Sequence, residues 1–223
     1  MNTKCDKKKE LIISQNIIML QIGTKIHRVY LMKKRIFLFS LLLNLAVHGQ
    51  TNTNISFSEV MFYALETNGE FIELHNPSND SSFDLSKYHV IYSTSSADTI
   101  IEFNKGTLLK PNNYAVVFEN DYDFNNGVYS QMITDSSLVL QIDNGKFGSS
   151  GMANTGDRTL YLLSELGDTI DTYTYTANNK MGYSDEKINI SEQNNFENWG
   201  NSEAVHGTPG FKNSVSPRHE ELE

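Results

Sequence analysis

The side chains best placed to do chemistry in this sequence are carboxylates in or beside short β-rich segments. Glu73 lies in Glu70-Phe-Ile-Glu-Leu-His-Asn76, followed by Pro77. Alternation puts Phe71 and Glu73 on one face and Ile72 and Leu74 on the other. A carboxylate beside a turn commonly ties down backbone N–H groups, so Glu73 is expected to be a partly buried acceptor for a loop. Acid–base catalysis would need a second acid or base, and the sequence supplies no convincing partner. Asn154, Gly156 and Asp157 precede a strand. Their expected role is a turn whose side chains satisfy backbone groups, with a ligand loop as the functional alternative. A glycan hydrolase built on Glu73 and Asp157 would need both carboxyls on one cleft, about 5–10 Å apart.

Metal and nucleophile chemistry find less support. Glu119-Asn-Asp121-Tyr-Asp123-Phe-Asn125-Asn-Gly127 places oxygen ligands at alternate positions, the spacing a calcium loop uses. Counted from Asp121, however, Asn126 stands where glycine is needed and Met132 where a bidentate Glu is needed. Asp121, Asp123 and Asn125 are therefore only weak calcium candidates, and a solvated acidic loop is the preferred reading. His75, His89, His206 and His219 have no zinc-ligand spacing. No G-x-S-x-G, G-x-x-x-x-G-K or G-x-G-x-x-G occurs, so neither a cofactor nor a metal is expected. Trp199, with Phe196 and Phe211, could line a glycan platform, but one Trp in an Asn-rich stretch reads better as core filler.

The elements that must position these residues are strands. Short runs rich in Val, Ile, Tyr, Phe and Thr span 55–63, 70–75, 88–93, 99–103, 114–118, 138–142, 159–163 and 169–175. Turn clusters separate them, among them Asn68-Gly69, Asn76-Pro77, Pro111-Asn112-Asn113 and Leu166-Gly167-Asp168. No long helical stripe appears. About eight short strands with regular turns argue an all-β sandwich or barrel. Residues 159–175 read as an antiparallel hairpin, with Leu160, Leu162 and Ile170 as its apolar core positions.

Charge is distributed unevenly. Of the 223 residues, 39% are hydrophobic, and the formal net charge is -9. Residues 1–49 hold 9 of the 18 basic residues and 2 of the 27 acidic ones, leaving residues 50–223 at net −16. Such a surface repels polyphosphate and anionic lipid, which argues against nucleic-acid binding. The single Cys, Cys5, excludes an intrachain disulfide. Met32-Lys33-Lys34-Arg35, followed by the apolar run Ile36 to Val47 and the small Gly49, has the form of a secretory signal. The run is too short to span a bilayer. We therefore expect residues 1–31 to be a gene-model extension or atypical leader, 32–49 a signal peptide cleaved before Gln50, 50–213 one domain and 214–223 a polar tail. The mature chain would be secreted or cell-surface, with no integral membrane segment.

The order of several short motifs resembles the lamin-tail domain family. Phe57-Ser-Glu-Val60 and Gly69-Glu-Phe-Ile-Glu-Leu-His-Asn-Pro77 resemble its opening. Asp84-Leu85-Ser86-Lys87-Tyr88 resembles its D-L-S-G-W, with Lys for Gly and Tyr for Trp. Residues 106–116 resemble G-x-x-L-x-P-G-x-Y-x-V, with Asn112 where Gly is usual. Asn154-Thr-Gly156-Asp157 through Asp171 resembles N-x-G-D-x-L-x-L…G-x-x-I-D, and Thr208-Pro209-Gly210-Phe-Lys-Asn213 the closing T-P-G-x-x-N. The resemblance implies an immunoglobulin-like β-sandwich of the bacterial exported type. On it, Glu73, Asn76, Pro77, Asn154, Gly156, Asp157, Pro209 and Gly210 are motif positions with structural roles. It also implies a non-catalytic interaction or tethering module for a protein or cell-envelope component. A carbohydrate-binding module or carboxylate-dependent glycan hydrolase is the alternative.

Overall fold

The computed structural model describes residues 55–217. Segment 32–49 and the cut before Gln50 lie outside the described residues, as do residues 218–223. The chain runs β1 (Ser56–Met61), β2 (Phe71–His75), β3 (Phe83–Asp84), β4 (His89–Tyr92), β5 (Ala97–Glu102) and β6 (Leu108–Leu109). It continues through β7 (Tyr114–Phe118), α1 (Tyr129–Met132), β8 (Leu138–Ile142), β9 (Arg158–Leu163), β10 (Thr169–Tyr175), β11 (Asp185–Lys187), a 3-10 turn (Phe196–Asn198) and β12 (Trp199–Asn201). The eight β-rich runs of the sequence are β1, β2, β4, β5, β7, β8, β9 and β10. The four added strands are two or three residues long, too short for a period of two to show.

Ten strands form one curled sheet in the order β10-β9-β4-β5-β8-β7-β2-β1-β11-β12, and β3 pairs with β6 apart from it. The curl turns on β5. Its first half pairs with β4 (Val90↔Asp98) and its second half with β8 (Ile101↔Gln141). One strand thus serves both layers of an immunoglobulin-like sandwich. The layers meet again on the far side, where the Phe57 N–H donates to Asp171 Oδ2 at 2.8 Å. Pairing is antiparallel throughout except between β7 and β8, which are parallel.

A first core fills the space between the layers. Phe57, Val60, Ile72, Leu74, Val90, Ile100, Val117, Leu140, Leu160, Leu162 and Tyr175 are all buried there. Each fully buried large apolar side chain contributes about 1.5–3 kcal/mol. In the 159–175 hairpin, Ser164 N donates to Asp168 O, and Gly167 takes φ +83° to close the loop. A bulge between Thr169 and Asp171 shifts the register and leaves Ile170 only partly buried. Tyr173 and Tyr175, not Ile170, carry the core of the second hairpin strand.

A second cluster lies on the opposite face of β1, β2 and β7: Met61, Phe71, Val116, Phe118, Tyr122 and Tyr129. The polar stretch 119–137 folds over this face rather than projecting from it. Tyr122 stacks on Phe118 and Tyr129 meets Phe71 edge-on, both within 5.3 Å of ring centroids. With both faces covered, β1 and β2 bury polar side chains too, Glu59 and Glu73 among them. Asn112 takes φ +54° in the turn where the family motif has Gly. Asn is among the few other residues that tolerate that region.

Candidate functional site

Glu73 belongs to a row of three carboxylates. In register, Glu73 of β2 faces Glu59 of β1, and Glu59 faces Glu186 of β11. All three side chains are fully buried. Like charges opposite one another are destabilising, and the chain meets this with donors. Ser58 Oγ donates to Glu73 Oε1 at 2.6 Å and Gly210 N to Glu73 Oε2 at 2.6 Å. Ser184 Oγ and Thr208 N donate to Glu59 Oε1. Thr208 Oγ1, Ser214 Oγ and Val215 N donate to Glu186. Burial nevertheless pushes Glu73 up to about 8 and raises Glu59 well above the usual carboxylate range, helped by each one's acidic neighbours. The Thr208-Pro209-Gly210 segment is thus fastened over the row. Gly210 sits at φ +84°, its carbonyl accepting from Ser137 Oγ at 2.7 Å. A Cβ on Gly207 would collide with the Glu59 carboxylate. The fastening extends past residue 213, since Ser214 and Val215 both bond Glu186.

The other motif residues hold loops. Asn76 Nδ2 donates to the carbonyls of Ser81, Leu109 and Lys110, while its Oδ1 accepts from Ser78 N just beyond Pro77. Asp157 is exposed, and its Oδ1 accepts from Ala177 N at 2.9 Å. Gly156 lies against the Arg158 guanidinium, and Asn154 borders a crevice of about 100 Å³. Glu73 and Asp157 are therefore each tied to a backbone amide, one buried and one at the surface, and they do not share a cleft.

That crevice holds an acid pair that the sequence reading did not single out, Glu70 and Glu119. Glu70 Oε2 accepts from Met152 N at 2.6 Å and Glu119 Oε1 from Phe147 N at 3.0 Å. Burial pushes Glu70 up to about 8, with neighbouring Glu119 adding to the shift, and also raises Glu119. The volume is well below the roughly 300–1,000 Å³ typical of small-molecule sites. In the acidic loop nearby, Asp123 uses both carboxylate oxygens locally, accepting from Asn125 N and Asn126 Nδ2. Asp121 lies against Gly145, and Asn125 gives its N–H to Asp123. Among the described residues, no group of three or more His, Cys, Asp or Glu is arranged to hold a metal. No helix of these residues is long and apolar enough to cross a membrane.

Two roomier features lie elsewhere, one of them an open, polar hollow of about 720 Å³ beside Tyr92, Gly148 and Arg158. The other, a cleft of about 490 Å³, runs along β10 and β12, the two end strands of the curled sheet. Trp199 stacks on Tyr173 with centroids 3.6 Å apart and planes 17° from parallel. Trp199 is half-buried and packs against the first core, and Phe196 beside it is 73% exposed. Phe211 is 43% exposed and does not line the cleft. Asp185 lies at the cleft, held up at about 6 by burial, and accepts from Tyr173 Oη and Asn179 Nδ2.

The curled sheet folded into two all-β layers is an immunoglobulin-like architecture. The family described as Lamin Tail Domain matches residues 48–177, and the chain belongs to it. The match ends within the described fold. β11, β12 and the capping segment 206–215 lie beyond it. No curated protein matches the chain.

Proposed function

We propose that this chain is an exported, non-catalytic interaction module that tethers a protein or cell-envelope component. The observation that carries this reading is the state of its carboxylates. Glu73 and Asp157, the two acids a hydrolase would have needed, each accept a backbone N–H and sit apart. A general acid must reach a substrate proton, and Glu73 is closed off beneath Gly210. The family is consistent with a non-enzymatic domain. The basic-then-apolar run at 33–47 supports export, and the strongly acidic remainder favours partners other than nucleic acid. The test is a pull-down of residues 50–223 against cell-envelope extract, with Asp157→Asn alongside. Retention of the same partner by both proteins is expected. Hydrolysis of a glycan substrate that is lost in Glu73→Gln and Asp157→Asn would defeat the reading.

A further inference from the structure

We propose that the cleft between β10 and β12 binds a neutral glycan. The inference rests on the reading of the chain as an interaction module and names the chemistry of one partner. Thr172, Tyr173, Thr176, Asn194, Phe196 and Trp199 are among the cleft's lining residues. Its volume of about 490 Å³ falls in the range of small-ligand sites. Sugar rings present apolar C–H faces and rims of hydroxyls. An aromatic ring suits the first, and amides and hydroxyls suit the second.

Two further observations select this ligand class. The first is charge. The ionisable groups lining the cleft are Asp185 and Tyr173, and the Tyr173 hydroxyl donates to Asp185 Oδ2 at 2.7 Å. Asp185 is also bonded by Asn179 Nδ2 and is 2% exposed, so it offers no free charge to a ligand. On a domain of net −16 the cleft is a neutral strip, which gives a phosphate, a sulfated polymer or a basic peptide nothing to pair with. The second is the unpaired polar atoms. Trp199 Nε1 and Asn194 Oδ1 are both buried without a partner among the described residues, and both residues border the cleft. One can only donate and the other can only accept. Leaving such atoms unpaired costs free energy. Both atoms are enclosed behind the cleft wall, so a polyol's hydroxyls would meet them only when Trp199 or Asn194 shifts.

Trp199 is the only Trp in the chain, so its emission reports on this site alone. Residues 50–223 are titrated with cellohexaose, xylohexaose, laminarihexaose, mannohexaose and chitohexaose. Heparin, polyphosphate and a poly-lysine peptide are the charged controls. A saturable change in Trp199 emission with at least one neutral oligosaccharide is expected. Calorimetric affinity for that sugar should fall about tenfold or more in Phe196→Ala, the loss of one stacked aromatic surface. Phe196 is exposed, so this variant keeps the fold, and Phe211→Ala should bind as the parent does. No response to any neutral sugar, a response to the charged polymers alone, or binding indifferent to Phe196→Ala would overturn the proposal. An envelope partner still captured by Phe196→Ala while every neutral sugar fails would remove the glycan and leave the interaction module standing. Loss of both would remove both.

Discussion

The Glu73 carboxylate accepts the Gly210 N–H at 2.6 Å, joining residues 137 positions apart. Through that contact the second strand of the sheet fixes the closing Thr208-Pro209-Gly210 turn. Glu73→Ala would leave two buried donors, Ser58 Oγ and Gly210 N, without an acceptor. Each such loss costs about 1–3 kcal/mol. A stability decrease of about 2–5 kcal/mol is expected on urea denaturation, with a smaller loss for Glu73→Gln, which keeps an acceptor. Amide exchange at Gly210 should accelerate in Glu73→Ala; unchanged protection there would mean that the turn is held by something else.

Stability should fall as pH rises above neutrality. Glu73 is pushed up to about 8 and Glu59 is raised, mainly by burial. Glu70 is also pushed up to about 8. In the unfolded chain these groups titrate near 4.5, so the folded state binds more protons between the two values. Their stabilising effect is complete below about 4.5 and is lost as pH climbs through about 8. His75 works in the other direction. Burial pulls it down to about 4, so its contribution is present above about 6.5 and lost as pH falls toward 4. Between pH 6.5 and 8.5 the carboxyls dominate, and Tm should drop. Glu73→Gln should flatten that slope. A Tm that holds or rises over this interval would contradict the assignment.

Calcium should leave the domain nearly unchanged. Asp123 already spends both oxygens on its own loop. Tight binding to the native state would raise Tm by mass action. Thermal melts in millimolar calcium and in chelator should therefore superimpose.

Leu160 and Leu162 are fully buried in the first core. Truncating either to Ala should cost about 2–5 kcal/mol, a large share of the roughly 5–15 kcal/mol available to a domain. Asp157→Asn keeps the Oδ1 acceptor for Ala177 N and should shift the melt only slightly. Parallel melts and partner pull-downs separate the two effects.

The mature N-terminus should be Gln50. Mass spectrometry of exported protein checks this, and peptides from residues 1–31 in that material would refute it.

The long strands were legible because each buries one face and exposes the other, or buries both in an unbroken apolar run. β7 is of the second kind, whereas β2 is buried on both faces with Glu73 and His75 in its run, and that is why Glu73 could be read as half-buried but not as enclosed. Its enclosure depends on residues 208–210, which no local pattern connects to residue 73. β11 was unreadable for a sharper reason. Asp185-Glu186-Lys187 looks like a solvated turn, yet all three are buried, Asp185 and Glu186 by virtue of donors from distant segments. Glu59 and Glu186 were missed on the same ground. Tyr122 and Tyr129 sat in a stretch whose polarity concealed that its aromatics turn inward. Trp199 was legible as an aromatic but not as a cleft wall, because its neighbour Tyr173 lies on another strand.

The carboxylate row also sets an order of events. Until residues 206–215 have been synthesised, Glu59, Glu73 and Glu186 lack most of the N–H and hydroxyl groups that meet them. Three carboxyls buried together without those donors would leave their oxygens unpaired, which costs free energy. Pairing β1, β2 and β11 is therefore costlier until the closing segment docks on the row. The last turn acts as a latch on the row.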